Sequence, residues 1–166
     1  MNVPIQSDYL EINQGDFAIA RDNEVLVSEG LGTCIGLTIF DSKSKTGYMA
    51  HTNGADLSPA ENICKSAQSD ALDKNFVSAW LAGGGPGALS EDERLLTLDS
   101  RKRVLLMLDR IGILKKNVSV DWIDDTDSNS SIELDTSTGK YTHVVDSLSE
   151  NLLEQGYDYT DEFFEE

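Results

Sequence analysis

VLVSEGLGTCIGLTIFDSKSKTGYMAH, residues 25 to 51, decides how the chain is read. It carries one of two cysteines, Cys34, and one of two histidines, His51, near opposite ends of a predicted β-hairpin. Cys34 to Phe40 alternates so that Ile35, Leu37 and Ile39 share one face, and Gly47 to His51 runs back beside it. The connection Asp41-Ser42-Lys43-Ser44-Lys45-Thr46 is polar, as a hairpin loop should be. A turn centred between Ser42 and Lys43 sets Cys34 directly opposite His51, with Cβ atoms about 4.5–5.5 Å apart. A one-residue slip makes the pair diagonal instead. A thiol beside an imidazole is the minimum equipment for a cysteine nucleophile.

The 166 residues suit one domain with a substantial core. A net charge of −17 argues against nucleic acid, whose phosphates demand Lys and Arg, and against an anionic membrane surface. A solvated acidic surface explains the charge most simply, with a basic partner as the sharper alternative. Met1 to Asp8 has neither a basic nor an apolar segment of the secretory kind. No stretch approaches the ~18 apolar residues that span a bilayer. A cytoplasmic protein is therefore expected, with unconventional export left open. Two cysteines do not make a disulfide framework, and cytosolic thiols are the default.

Along the chain, Tyr9 to Ile12, Phe17 to Ala20 and Glu24 to Ser28 read as short strands. Glycines Gly30 and Gly32 permit a tight path into Cys34. A helix begins near Pro59 with Ser58 as its N-cap, burying Ile63, Ala67 and Leu72. Phe76 to Ala82 is a buried strand running into Gly83-Gly84-Gly85-Pro86-Gly87. That run lacks the lysine of a phosphate loop and reads as a tight connection. The clearest helix has Ser90 before Glu91, Asp92 and Glu93, then Val104, Leu105, Leu108 and Ile111 at helical spacing, and stops at Gly112. Asn117 to Ile123 is a strand, Asp124 to Ser131 a polar loop, and Ile132 to Leu134 pairs with Lys140 to Val145 across a turn. Residues 1–146 form the expected domain. Residues 147–166 form an acidic extension, with a short helix around Leu148, Leu152 and Leu153 and a mobile tail from Tyr157.

Gly30-Leu31-Gly32-Thr33-Cys34-Ile35-Gly36-Leu37, then Phe40-Asp41, then Gly47-Tyr48-Met49-Ala50-His51 resembles the signature of the CheD family. These are bacterial and archaeal chemoreceptor glutamine deamidases, with a pattern close to T-x-G-L-G-[ST]-C, a strand ending Y-D, and G-G-[ML]-A-H. Trp80 to Gly85 resembles the family's strand ending in F-G-G-[AS]. Arg101 to Ile113 resembles its following helix, and Ile132 to Lys140 its late hairpin. The resemblance implies an α/β/β layered sandwich of mostly antiparallel sheets with two main helices, a core that bacterial cytotoxic glutamine deamidases share. It implies that Cys34 is the nucleophile, that His51 is the catalytic histidine, and that Ser28 takes the place of a supporting threonine.

The implied reaction hydrolyses a glutamine side-chain amide of a target protein to glutamate and ammonia through a cysteine thioester. It needs no cofactor and no metal. Its partners are a protein carrying an exposed glutamine, a chemoreceptor in the family, and a regulatory protein of the chemotaxis system. Neither nucleic acid nor membrane insertion enters the scheme. The chemistry agrees with the residues: an imidazole lowers a thiol's pKa, and the backbone N–H groups of Gly32, Thr33 and Cys34 are candidates for holding an oxyanion. His51 then protonates departing ammonia and activates water, with Ser28 orienting its ring.

Several departures loosen the link to a chemoreceptor. Ser28 stands for threonine, and Thr52-Asn53-Gly54 replaces an apolar segment. The family's arginine-asparagine pair at its second helix is not evident. Asp124 to Ser131 replaces a late glycine-rich stretch. A non-receptor target is thus an alternative, as is a silent binding adaptor on the same fold, and a small-molecule amidase is a third. Cys64 reads as a structural residue and His143 as a surface or packing residue. Asp125-x-Asp127-x-Asn129 imitates a calcium loop but has Ser130 for its glycine and Thr136 for its glutamate.

Overall fold

A computed structural model describes residues 8–87, 90–124 and 128–147. The expected short helix and tail after Ser147, and Asp125 and Asp127 of the polar run, lie outside the described residues. Nine strands form two sheets: β1 (Tyr9–Glu11), β2 (Phe17–Ala20), β3 (Val25–Ser28), β4 (Ile35–Asp41), β5 (Thr46–Thr52), β6 (Val77–Gly83), β7 (Val118–Trp122), β8 (Ser128–Asp135) and β9 (Lys140–Ser147). Two α-helices, α1 (Ser58–Ser69) and α2 (Glu91–Arg110), and two single-turn 3₁₀ helices, Lys74–Phe76 and Lys115–Asn117, complete the described residues. One sheet has the order β1-β3-β8-β9 and the other β2-β5-β4-β6-β7, antiparallel except for the pairs β1–β3 and β6–β7. The helices cover one face of the five-stranded sheet and the four-stranded sheet covers the other, giving the expected α/β/β sandwich.

This layering explains why every residue of β4 and β5 is buried. Strand residues alternate between faces. Ile35, Leu37 and Ile39 pack with Ala60, Ile63, Ala67, Val104 and Leu108 of the helices. Cys34, Phe40 and Met49 pack instead with Leu26, Ile132 and Leu134 of the other sheet. A central strand covered on both sides needs a nearly continuous apolar run, and Ile35 to Phe40 supplies one.

Local signals set most boundaries. The Ser90 side chain caps α2 by accepting from the Glu93 N–H at 3.3 Å, and three acidic residues follow at the positive end of the helix dipole. Gly112, at φ +86°, ends the helix. Three expectations need correction. The first turn of α1 is capped by Leu57, not Ser58; the Asp56 carboxylate instead accepts from the Ser58 N–H at 3.0 Å. Strand β8 starts at Ser128, four residues before Ile132, because Ser128 to Ser131 pairs with Val144 to Ser147 of β9. The hairpin turn is also displaced. Gly36, not Cys34, lies opposite His51, and Asp41 lies opposite Thr46.

Candidate active site

The displaced register places Cys34 just before β4, diagonal to His51 along the extended ladder. Both side chains still belong to the layer between the sheets. The structure brings Ser28 and His51 into direct contact: Ser28 Oγ lies 2.9 Å from His51 Nδ1. Ser28 also donates to the Ile12 carbonyl at 2.7 Å. A serine hydroxyl has a single proton, so with that proton on the Ile12 oxygen it accepts from His51 Nδ1–H. This leaves the lone pair of the neutral ring on Nε2, the nitrogen required of a base. Nε2 is buried and has no hydrogen-bond partner among the described residues.

The histidine backbone is fixed by the loop between β1 and β2. Gly15 N–H donates to the His51 carbonyl at 2.9 Å, and His51 N–H to the Asp16 carbonyl at 3.1 Å. Gly36 gives Leu31 and Ile132 room, since a Cβ there would lie 2.7 Å from a methyl of each.

Burial dominates the electrostatics. It pushes the Cys34 thiol above its ordinary value, and it pushes His51 below its ordinary value against the opposing pull of the Ile12 carbonyl and Asp16. Burial, and not the expected lowering by the imidazole, sets the direction of the thiol's shift. Cys34 is 8% exposed, while Ser28 is fully buried and His51 nearly so.

The loop that carries Cys34, Glu29 to Cys34, is gripped from two sides. Leu31 exchanges backbone hydrogen bonds with Ser130 of β8, at 3.0 and 3.2 Å. From the other sheet, Gly84 N–H donates to the Cys34 carbonyl and Gly85 N–H to the Gly32 carbonyl, both at 2.8 Å. The glycine run read as a connection is thus a docking surface for this loop. A Cβ on Gly83, at φ +81°, would collide with the Cys34 carbonyl oxygen, and one on Gly85 would lie 3.0 Å from the Ile123 oxygen. Among the described residues, the N–H groups of Gly32, Thr33 and Cys34 donate to no acceptor.

Sequence reasoning missed Arg101. Its side chain is 12% exposed, donates to the Gly84 and Ile123 carbonyls at 2.7 and 2.9 Å, and lies 5.0 Å from the centre of the Trp122 ring. Its phase was a usable signal, since Thr97, Arg101, Val104 and Leu108 fall on one helix face. Cys64 and His143 lie away from Ser28 and His51 in the fold. Cys64 is buried on α1, its thiol pushed up to about 12 first by burial and then by Glu61. His143 on β9 sits opposite Ile132, with Nδ1 4.0 Å from Asp121 of β7. Among the described residues no helix is long and apolar enough to cross a membrane.

No family model matches the chain. Six curated relatives all carry the name "Probable chemoreceptor glutamine deamidase CheD". The Pyrococcus horikoshii protein is 33% identical over 42 residues, covering 25% of this chain and 26% of that one. The Syntrophomonas wolfei protein is 29% identical over 65 residues, 39% of this chain and 38% of that one. The match to Desulforamulus reducens is longer, 26% identical over 121 residues, or 63% of this chain and 73% of the relative. The chain thus spans about a quarter and two-fifths of the first two relatives.

Among solved structures, Bacillus licheniformis YfiH superposes with a TM-score of 0.51 at 11% identity, covering 64% of this chain and 50% of that one. Geobacillus stearothermophilus YlmD gives 0.51 at 11%, covering 66% and 58%. At that identity the likeness speaks for the fold alone. The six sequence matches make the chain similar, at low identity and over part of its length, to proteins named CheD.

Proposed function

We propose that the protein hydrolyses the side-chain amide of a glutamine in a target protein, with Cys34 as nucleophile, His51 as general base and acid, and Ser28 as the residue that orients His51. The observation that carries this reading is the Ser28–His51 contact, which leaves an unpartnered, basic Nε2 in the layer that also holds Cys34.

The thiol proton passes to Nε2 as Sγ attacks the carboxamide carbon. The carbonyl oxygen becomes an oxyanion facing the backbone N–H groups of Gly32, Thr33 and Cys34. His51 returns the proton to the amide nitrogen, the C–N bond breaks, and ammonia leaves a thioester on Cys34. Water, deprotonated by the same Nε2, attacks the thioester; glutamate leaves and the thiol is restored. The relatives' name makes a chemoreceptor the first target to try, with a non-receptor protein as the alternative target. A cytoplasmic location and a partner within the chemotaxis apparatus belong to the same reading.

Burial of Cys34 and its raised pKa favour a second reading, a binding adaptor that has kept the fold without the chemistry. One experiment separates the two. The protein is incubated with chemoreceptor cytoplasmic domains, with casein and with N-benzyloxycarbonyl-Gln-Gly, and ammonia release and the mass gain of amide-to-acid conversion are followed. The proposal expects conversion by the wild type and none by Cys34→Ala. Full activity in Cys34→Ala would overturn the mechanism.

A further inference from the structure

Arg101 sits outside the Cys34–His51–Ser28 constellation, yet a continuous line of hydrogen bonds leads from it to the nucleophile loop. Its Nε donates to the Gly84 carbonyl at 2.7 Å. That carbonyl belongs to the same peptide unit as the Gly85 N–H, which donates to the Gly32 carbonyl at 2.8 Å. The Gly32 carbonyl in turn shares its peptide unit with the Thr33 N–H. Two peptide dipoles are therefore aligned head to tail between a guanidinium and Thr33.

The guanidinium is always charged, and a charge-assisted bond is roughly twice as strong as a neutral one. Hydrogen bonds in series polarise one another, by perhaps about 10–30% per bond. The positive end of this line emerges at Thr33 N–H, which has no acceptor recorded among the described residues. The surroundings hold Arg101 in place. A second nitrogen donates to the Ile123 carbonyl at 2.9 Å and pairs with Asp124 at 3.2 Å, and the guanidinium stacks on Trp122. Trp122 itself packs against the Gly84 backbone, where a Cβ would lie 3.0 Å from the indole.

We infer that Arg101 is a positioning residue for amide hydrolysis: through the Gly84–Gly85 and Gly32–Thr33 peptides it aims and polarises the Thr33 N–H as an oxyanion donor. This rests on the reading of Cys34 as a nucleophile. Methionine at 101 fills similar volume without donors or charge; lysine keeps the charge and part of the donation but loses the fork.

The test compares Arg101→Met and Arg101→Lys with the wild type in three measurements. Ammonia release from N-benzyloxycarbonyl-Gln-Gly should lose roughly tenfold or more in kcat in Arg101→Met with little change in KM, and Arg101→Lys should recover part of the loss. Alkylation of Cys34 by iodoacetamide, a displacement that forms no oxyanion, should keep its wild-type rate within about twofold in both. The amide proton resonances of Thr33 and Gly85 should move upfield in Arg101→Met as the line loses its charged end.

An unchanged kcat, an unmoved Thr33 resonance in a folded variant, or an equal fall in kcat and alkylation rate would overturn the inference. The last would show that Arg101 merely seats the thiol. If the wild type releases no ammonia from any glutamine substrate, the deamidase reading fails. The Thr33 and Gly85 resonances then still decide whether the charge reaches the loop.

Discussion

Cys34 and Cys64 are both buried, both free, and both pushed up by desolvation, yet they stand on opposite faces of the same sheet. Cys64 lies in the layer between helices and sheet, among Ile63, Ala67, Leu37 and Leu81, and the nearest charge that acts on it is a repelling glutamate. Cys34 lies between the sheets, a layer that also holds Ser28, His51 and the glycine-lined ends of two strands. Burial and pKa alone do not separate the proposed nucleophile from a packing residue. The difference lies in which polar groups share the layer and whether one of them can take a proton.

The sharpest way to break this comparison is to truncate both thiols. Cys34→Ala is expected to lower glutamine deamidation by roughly 10⁴-fold or more. Cys64→Ala should leave kcat within about twofold and cost about 1 kcal/mol of unfolding free energy. Ammonia release and urea titration read the two effects, and equal losses of activity would erase the distinction.

The next effect concerns the shared hydroxyl. Ser28→Ala removes the acceptor for His51 Nδ1–H and should lower kcat about tenfold, while Ser28→Thr should retain most activity. A Ser28→Ala enzyme with wild-type kcat would remove Ser28 from the site.

The smallest effect is in pH dependence. Burial holds the pKa of His51 below its unfolded value, so below about pH 6.5 the unfolded chain binds more protons than the folded one. Stability should fall as pH drops from that value through the lower folded pKa. His51→Gln should flatten that slope between pH 5 and pH 7, read as Tm across the range. A wild-type Tm that does not fall with acid would contradict a buried neutral imidazole.

Much of the architecture could be read from residue order, because it depended on local pattern. Apolar alternation in Ile35 to Phe40, the acidic start of α2 and Gly112 at its end act within a few residues. The hairpin register did not come through. The loop runs Ser42 to Lys45 and takes its left-handed residue at Lys45, φ +54°, where neither glycine nor asparagine marks the turn. The first half of β8 was hidden for another reason. Asn129 to Ser131 is polar, and its strand conformation is imposed by β9 and Leu31 rather than by its own side chains.

Candidate site residues divided the same way. Ser28, Cys34 and His51 were proposed from the family-like signature around them. Arg101 sits inside a charged run, and only its helical phase against Val104 and Leu108 distinguishes it from its neighbours. The glycines at 83 to 85 were visible as glycines, but their purpose depends on Gly32 and Cys34, some fifty positions earlier in the chain.

The bond between Leu31 and Ser130 joins residues 99 positions apart. During synthesis, therefore, Cys34 leaves the ribosome long before the strand that holds its loop. Until β8 arrives, the thiol belongs to an incomplete chain and ionises near the ordinary cysteine value of about 8.5. Completion of the fold then shelters it and raises its pKa. Assembly of the candidate site and shielding of its sulfur from oxidants are the same event, timed by the last third of the chain.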